Sequence, residues 1–411
     1  MGGAALQTAR CSWIRIRKAL AWAVLATALA RGATADLADD ARTLVGAGQG
    51  VYAETEDGTV LVAQAADKPV HPASVSKVPT TLALLRTLGP DHRFATRFEA
   101  GGALADGVVA GDLVVESPGD PYFVDENALL VAAALRAQGV RRFEGTLVAR
   151  GPLLFDWETE AAAARLQRAL AGGAAPAAGE ALRSDGGASG ERPPRVEFGG
   201  KPQPRSSAAR PLVVHWSQPL VPLVKALNGF SNNIFADFAQ AAGGIGEVES
   251  IARASVPAAW RDEIILGDGA GAHRANRLSP RATVAILRAL AAELAKSQRT
   301  LADVLPVAGI DDGTLRHRFD EPGEIGHVVG KTGTYGGYGA SALAGALRTR
   351  DQGLVYFAVL NHNVPIEAAR KRQDAFVRAL LRRFDTQAWE YRRDAAPAFT
   401  RARVEAAKEA R

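Results

Sequence analysis

Cysteine is nearly missing from this chain: Cys11 is the only one in 411 residues. It precedes an apolar run at the N-terminus, and the chain beyond that run has none, which leaves no disulfide and no thiolate chemistry there. Histidine is sparse too. The seven histidines are scattered, without the spacing of a metal site, so neither a bound metal nor a cofactor is expected. No G-x-S-x-G elbow is present, which disfavours an ordinary Ser-His-Asp hydrolase; His71, three before Ser74, reads as a loop residue. A long apolar segment is also lacking. The run from Ala19 to Ala30 falls short of the about 20 residues that a membrane-spanning helix needs. The net charge of +5 is no argument for nucleic acid. Arg10, Arg15, Arg17, Lys18 and Arg31 all lie in residues 1–35, which hold no acid, and the remainder is formally neutral.

What is present at the N-terminus reads as an export signal. A basic region from Arg10 to Lys18, the apolar run, and Ala33-Thr34-Ala35 before Asp36 together suggest cleavage after residue 35. A periplasmic or other extracytoplasmic location is therefore expected, with peripheral attachment to membrane or cell wall left open. Hydrophobic content of 47% and charged content of 23% allow a buried core in two lobes.

Periodicity predicts a hairpin over 48–64 and a helix from Ser74 to about Gly89. Strands and turns are expected over 93–121, a helix over 125–138 and a strand over 143–150. Helical patterns return at 217–242 and 280–296, strand patterns at 326–329, 340–347 and 354–360, and a last helix at 366–384. Residues 172–211 are dominated by Gly, Ala, Ser, Pro and Arg, and read as a flexible linker or long loop. Residues 386–411 read as a charged tail, loosely attached. The resulting division is a discontinuous main domain over 36–96 and 212–385, with an inserted domain over 97–171. The interleaved elements indicate an α/β fold.

Three short motifs carry the chemistry. Ser74-Val75-Ser76-Lys77 opens a helix, and residues three apart share a face. A serine hydroxyl needs a base to accept its proton, and a desolvated lysine can serve as that base. Alone, this pattern reads first as a capping serine with a surface lysine. Ser231-Asn232-Asn233 could relay a proton through Ser231 and hold Lys77 or a substrate amide through Asn233, though on its own it is a turn. Lys331-Thr332-Gly333-Thr334 ends a strand-like run. Its lysine raises the local potential, its threonine hydroxyls can bind a carboxylate, and Gly333 lets a peptide lie against the strand. Asp120, in Gly119-Asp120-Pro121, could recognise a substrate amine, although a turn is the plainer reading.

Together, and in this order, the motifs match the S-x-x-K, S-x-N, K-T-G set of serine penicillin-binding proteins and serine β-lactamases. Flanking phrases narrow the match: Pro72-Ala73 before Ser74, Gly111-Asp112-Leu113, Gly119-Asp120-Pro121, Ala236-Asp237, Asp268-Gly269 with Asn276 and Leu278-Ser279-Pro280, Leu305-Pro306-Val307-Ala308-Gly309, and Asp312-Gly313-Thr314-Leu315 with Arg318. Over about 45–385 the chain resembles the low-molecular-mass class C penicillin-binding proteins, the D-alanyl-D-alanine carboxypeptidase/endopeptidase family.

That resemblance implies a serine β-lactamase/transpeptidase-like domain, an antiparallel sheet flanked by helices, with a smaller inserted domain. It implies hydrolysis of D-alanyl-D-alanine termini of peptidoglycan stem peptides, and of D-Ala–diaminopimelate cross-links, without metal or cofactor. Ser74 would be acylated, Lys77 would act as base, and Ser231 and Asn233 would complete the proton network. Lys331, Thr332 and Thr334 would face the substrate carboxylate, with backbone N–H groups of Ser74 and Thr334 as oxyanion hole. β-Lactam antibiotics would be inhibitors. The chain departs from the family at Asn232, where aspartate is usual, at Gly229, often lysine, and at Ala270, usually serine. A serine β-lactamase or esterase of the same fold is one alternative, although no Glu-x-x-Leu-Asn phrase lies between the second and third motifs. A non-catalytic envelope binding protein is the other.

Overall fold

The computed structural model describes residues 36–184, 194–202, 210–393 and 401–407. The export-signal reading of residues 1–35 lies outside the described residues. The strands that matter below are β1 (Gly50–Thr55), β2 (Val60–Gln64), β3 (Ala95–Ala100), β4 (Leu113–Glu116), β5 (Leu147–Arg150), β6 (Arg210–Trp216), β7 (Val328–Tyr335), β8 (Ala340–Thr349), β9 (Leu354–Asn361) and β10 (Arg403–Ala406). The helices that matter below are α1 (Lys77–Leu88), α2 (Asp125–Ala137), α3 (Pro176–Ser184), α4 (Leu220–Gly229), α5 (Pro280–Ala295) and α6 (Ile366–Arg383).

Strand β9 reads Leu-Val-Tyr-Phe-Ala-Val-Leu-Asn, almost without a polar break, because both of its faces are buried. Tyr356, Ala358 and Leu360 join a core shared with α1, α4 and α5. Val355, Phe357 and Val359 join a second core with Leu37, Ala41 and Val45 and with Phe376, Val377 and Leu380 of α6. The sheet they belong to runs β7-β8-β9-β1-β2, with antiparallel neighbours throughout. Helices on both faces make three layers, the transpeptidase-like architecture that the motifs imply. The inner positions of β8 on the α1 side are Ala342, Ala344 and Ala346. Small side chains there let α1 and the Ser74 turn that leads into it sit close to the sheet.

Strand β7 is an edge strand, and only part of its free edge is covered. Val307 bridges Val329, and Gly330 N–H donates to the Pro306 carbonyl at 3.2 Å. Among the described residues no strand pairs with that edge beyond Gly330, and Thr332 and Thr334 line a cleft there. The strand runs through the whole third motif and stops at Tyr335, so the motif ends it as expected.

A second sheet, β10-β6-β3-β4-β5, packs its own core against α2. Its composition corrects two expectations. The stretch 172–211 is not simply a linker, for its described residues include α3, whose Ala178 and Leu182 pack on Leu129 of α2. Val196 is buried in the same sheet's core. Strand β6 pairs with β3, so this sheet claims the chain up to Trp216. The apolar residues of 172–211 are few, but they are spaced to meet neighbours distant in sequence, which composition cannot register.

The tail is corrected as well. Thr386 and Gln387 pair with Thr349 and Arg348 of β8. Trp389 is buried in the main core. Tyr391 donates its hydroxyl to Asp311 Oδ1 at 2.7 Å, and the Lys225 ammonium lies 4.2 Å from its ring centre. Strand β10 then pairs with β6 of the second sheet. Two aromatic anchors and a strand hold what charge and alanine content make look loose.

The helical patterns over 217–242 are two helices with the second motif in the loop between them, as expected. Ser231 has φ +56°, a left-handed conformation that ends α4 and starts a new short helix at Phe235. For a serine this costs about 1–2 kcal/mol per residue, and it occurs at the second motif. No helix of the described residues is long and apolar enough to cross a membrane.

Candidate active site

Ser74 lies in a 3-10 turn, Ala73–Ser76, that runs directly into α1. In such a turn residues i and i+3 nearly eclipse, and Lys77 Nζ lies 3.0 Å from Ser74 Oγ. The ammonium also donates to Asn233 Oδ1 at 3.2 Å and to the Ala270 carbonyl at 2.6 Å. Lys77 is fully buried. Burial pushes its pKa down to about 7, against a partial upward pull from Asp268. Near neutral pH a substantial share of Lys77 is therefore a free amine next to a hydroxyl proton.

The Ala270 carbonyl is aimed by a loop that Asp268 organises. Its carboxylate accepts from the backbone N–H groups of Gly271, Ala272 and His273 at 2.7, 3.0 and 3.1 Å, and from Asn276 Nδ2 at 2.8 Å. The neighbouring Gly269 carbonyl accepts from Thr80 Oγ1 of α1 at 2.9 Å. Gly271 has φ +90°, and a Cβ there would stand 2.0 Å from the Ala73 carbonyl. Contact between this loop and the Ser74 turn thus requires glycine. Alanine at position 270 removes nothing from Lys77, because the contact uses the backbone.

Ser231 and Lys331 form the opposite side. Lys331 Nζ donates to Ser231 Oγ at 2.8 Å and to the Thr332 carbonyl at 2.8 Å. Burial, and then the charge of Lys77, hold its pKa well below the ordinary lysine value. The alternation of β7 sends Lys331 and Gly333 to the α1 side and Thr332 and Thr334 to the α6 side. Gly333 has a different reason from the one expected. A Cβ at this position would stand 2.6 Å from the Pro72 carbonyl and 3.1 Å from Ser74 N, so the glycine admits the protein's own Ser74 turn.

The phrase 312–315 links the second and third motifs. Thr314 N–H donates to the Gly229 carbonyl at 3.0 Å, and Thr314 Oγ1 lies 2.8 Å from Thr332 Oγ1. Gly313, at φ +107°, would place a Cβ 2.1 Å from that same carbonyl. Gly229 acts here through its carbonyl, so the backbone of this position is what the site uses.

Ser74, Ser231, Asn233, Thr332 and Thr334 line one cleft of about 610 Å³. Lys77, Lys331 and Gly333 are buried beneath it. Asp120 is not brought there. It is 1% exposed, accepts from Tyr122 N–H at 2.9 Å, and sits beside His215 within the second sheet's region, where no substrate amine can reach it. His71 is held as a structural ring: Nδ1 accepts from Ala73 N–H at 3.1 Å and Nε2 meets the His273 carbonyl at 3.1 Å. A larger groove of about 1010 Å³, lined by Trp260, Arg288 and Tyr356, holds none of the motif residues. Among the described residues no cluster of three or more His, Cys, Asp or Glu could hold a metal. Asp268 and Thr314 stand in phrases visible in the sequence without an assigned role. Arg370 of α6, also in the cleft lining, has no local sequence signal.

Comparisons with known proteins agree with this geometry. The carboxypeptidase Rv3627c of Mycobacterium tuberculosis is 29% identical over 341 residues, 72% of each chain. The penicillin G-acylated predatory endopeptidase Bd3459 of Bdellovibrio bacteriovorus shares the fold with a TM-score of 0.73 at 21% identity, over 85% of this chain and 96% of that one. Penicillin binding protein 4 of Haemophilus influenzae does so with a TM-score of 0.60 at 20% identity, over 85% and 99%. The profile of the D-Ala-D-Ala carboxypeptidase 3 (S13) family matches residues 30–158 and 180–383, most of the sequence. With motifs, fold and profile in accord, the chain belongs to the D-Ala-D-Ala carboxypeptidase 3 (S13) family and is a serine-type peptidase of the low-molecular-mass class C penicillin-binding group.

Proposed function

We propose that this peptidase cleaves D-alanyl-D-alanine termini of peptidoglycan stem peptides, and D-Ala–diaminopimelate cross-links, through an acyl-enzyme on Ser74. The observation that carries the reading is the 3.0 Å contact between Ser74 Oγ and a buried Lys77 whose pKa lies near 7. Neutral Lys77 takes the Ser74 proton as Oγ attacks the carbonyl of the penultimate D-alanine. Backbone N–H groups of Ser74 and Thr334 hold the oxyanion. The proton that Lys77 took then passes through Ser231, which is hydrogen-bonded to Lys331, to the leaving amine, and Lys77 is neutral again. Water then attacks the ester, returning the proton to Ser74 and releasing the acid. The edge of β7 beyond Gly330, unpaired by any strand among the described residues, supports an extended peptide adding to the sheet. β-Lactams would acylate the same serine and leave slowly. Export through residues 1–35 would place this chemistry outside the cytoplasm.

The test uses residues 36–411 with a fluorescent penicillin and a D-Ala-D-Ala-terminated pentapeptide, beside Ser74→Ala. Stable labelling and D-alanine release, both lost in the variant, are expected. A folded wild type that takes no label would refute the acyl-enzyme. Rapid turnover of the penicillin would make it a β-lactamase instead.

A further inference from the structure

Helix α6 forms one wall of the cleft. Glu367, Arg370, Lys371 and Asp374 line it, at the three- and four-residue spacings that share a helical face. The acids of this face are matched within the wall. Asp374 accepts from Arg318 Nε at 2.8 Å, and Glu367 pairs with Lys371 at 3.2 Å. Arg370 differs from its neighbours. Among the described residues it has no carboxylate at ion-pair distance, and its Nη2 donates to Thr334 Oγ1 at 3.1 Å.

That single contact has a directional consequence. A threonine hydroxyl has one proton and two lone pairs, whereas a guanidinium can only donate. Thr334 Oγ1 therefore accepts from Arg370, and its own proton is left for another acceptor. Thr332 is placed otherwise, since its hydroxyl already has Thr314 Oγ1 at 2.8 Å. Thr334 is exposed and lines the cleft with Ser74. Lys331, the cation within the third motif, lies on the opposite face of β7 and is directed at Ser231.

We infer that Arg370 is a specificity-determining positioning residue for the substrate carboxylate on the carbon that bears the leaving nitrogen. It orients the Thr334 hydroxyl so that its proton faces the cleft, and it adds a positive charge that favours an anionic over a neutral terminus. The inference rests on the peptidase reading above. A free D-alanine terminus and a cross-link to the D-centre of a diamino acid both carry this carboxylate. Arg370 thus serves both substrates and does not choose between them.

The test compares a D-Ala-D-Ala pentapeptide with its C-terminal amide, in the wild type, Arg370→Gln and Arg370→Lys. Arg370→Gln should lower kcat/KM for the carboxylate peptide about 10- to 100-fold, the size of a hydrogen bond to a charged group. The amide rate should fall far less, so the preference for carboxylate shrinks, and Arg370→Lys should restore part of it. An equal fall on both peptides, or an unchanged preference, would overturn the inference. Acylation by benzylpenicillin, which also carries a carboxylate, is followed in the same variants. A wild type that acylates without hydrolysing peptide sinks the peptidase reading alone, because the acylation ratio of wild type to Arg370→Gln still decides the role of Arg370. A wild type inert to both overturns the two readings together.

Discussion

Two regions of the molecule bury ionisable side chains in opposite ways. In the cleft, Lys77 meets three acceptors and Lys331 meets two, so each buried cation is hydrogen-bonded. In the second sheet's region, Asp120 and His215 lie 3.6 Å apart, both nearly inaccessible. Neither ring nitrogen of His215 has a hydrogen-bond partner among the described residues, and neither does Asp120 Oδ2 or Thr96 Oγ1 across the strand pair. Burial raises Asp120 to about 7 and lowers His215 to about 3. Desolvation acts on both regions, yet only in the cleft do acceptors hold the group where a proton is to move. Thus a perturbed pKa marks chemistry in one place and packing in the other. What separates them is access to a cleft and a hydroxyl within reach.

The comparison breaks if Lys77 proves dispensable. Lys77→Met keeps the volume and removes the amine, and should slow Ser74 acylation about 10³-fold. In the wild type the reactive form is neutral Lys77, whose population grows with pH. Acylation should therefore fall as pH drops below about 7. Asp268 pulls that value upward, so Asp268→Asn should move the limb to lower pH. A rate independent of pH between 5 and 9 would remove Lys77 as base.

Asp120 sharpens the contrast from the other side. Its folded-state carboxyl keeps a proton that the unfolded chain, at 3.8, releases. Stability is thus lost as pH rises from about 4 to about 7, by up to about 4 kcal/mol. Asp120→Asn should recover that amount at pH 8 and less at pH 5, with acylation unaffected. Denaturant titrations at the two pH values decide it, and an equal change at both would mean that Asp120 is not protonated in the fold. The smallest effect comes from one substitution made twice. Thr80→Val leaves the Gly269 carbonyl unpaired and should cost about 1–3 kcal/mol. Thr96→Val removes a buried hydroxyl that has no partner and should be neutral or stabilising by about 1 kcal/mol. Equal losses at both sites would erase the distinction between the regions.

The legible parts were those that short range determines. The helix after Ser74, the strands of the main sheet and the three motifs in their order are local patterns of period and residue type, and the profile match agrees with the family they indicate. Illegible were the features that depend on partners far along the chain. Trp389 and Tyr391 sit in a stretch whose composition looks loose, and only the main core and Asp311 reveal them as anchors. From Gly-Asp-Pro alone Asp120 is a turn residue that could also meet a ligand; its turn contact to Tyr122 N–H is present, and only the packing around it shows the side chain to be inaccessible.

By itself, then, the sequence determined which side chains can do the chemistry, because a serine three residues before a lysine at a helix start will share a face in any fold that keeps the helix. The tertiary structure alone decided how they behave. The lowered pKa of Lys77, the glycines at 271 and 333, and the approach of Arg370 to Thr334 across 36 positions arise from neighbours that only folding brings within a few ångströms. Desolvation and hydrogen bonding act over that distance and have no signature along the chain.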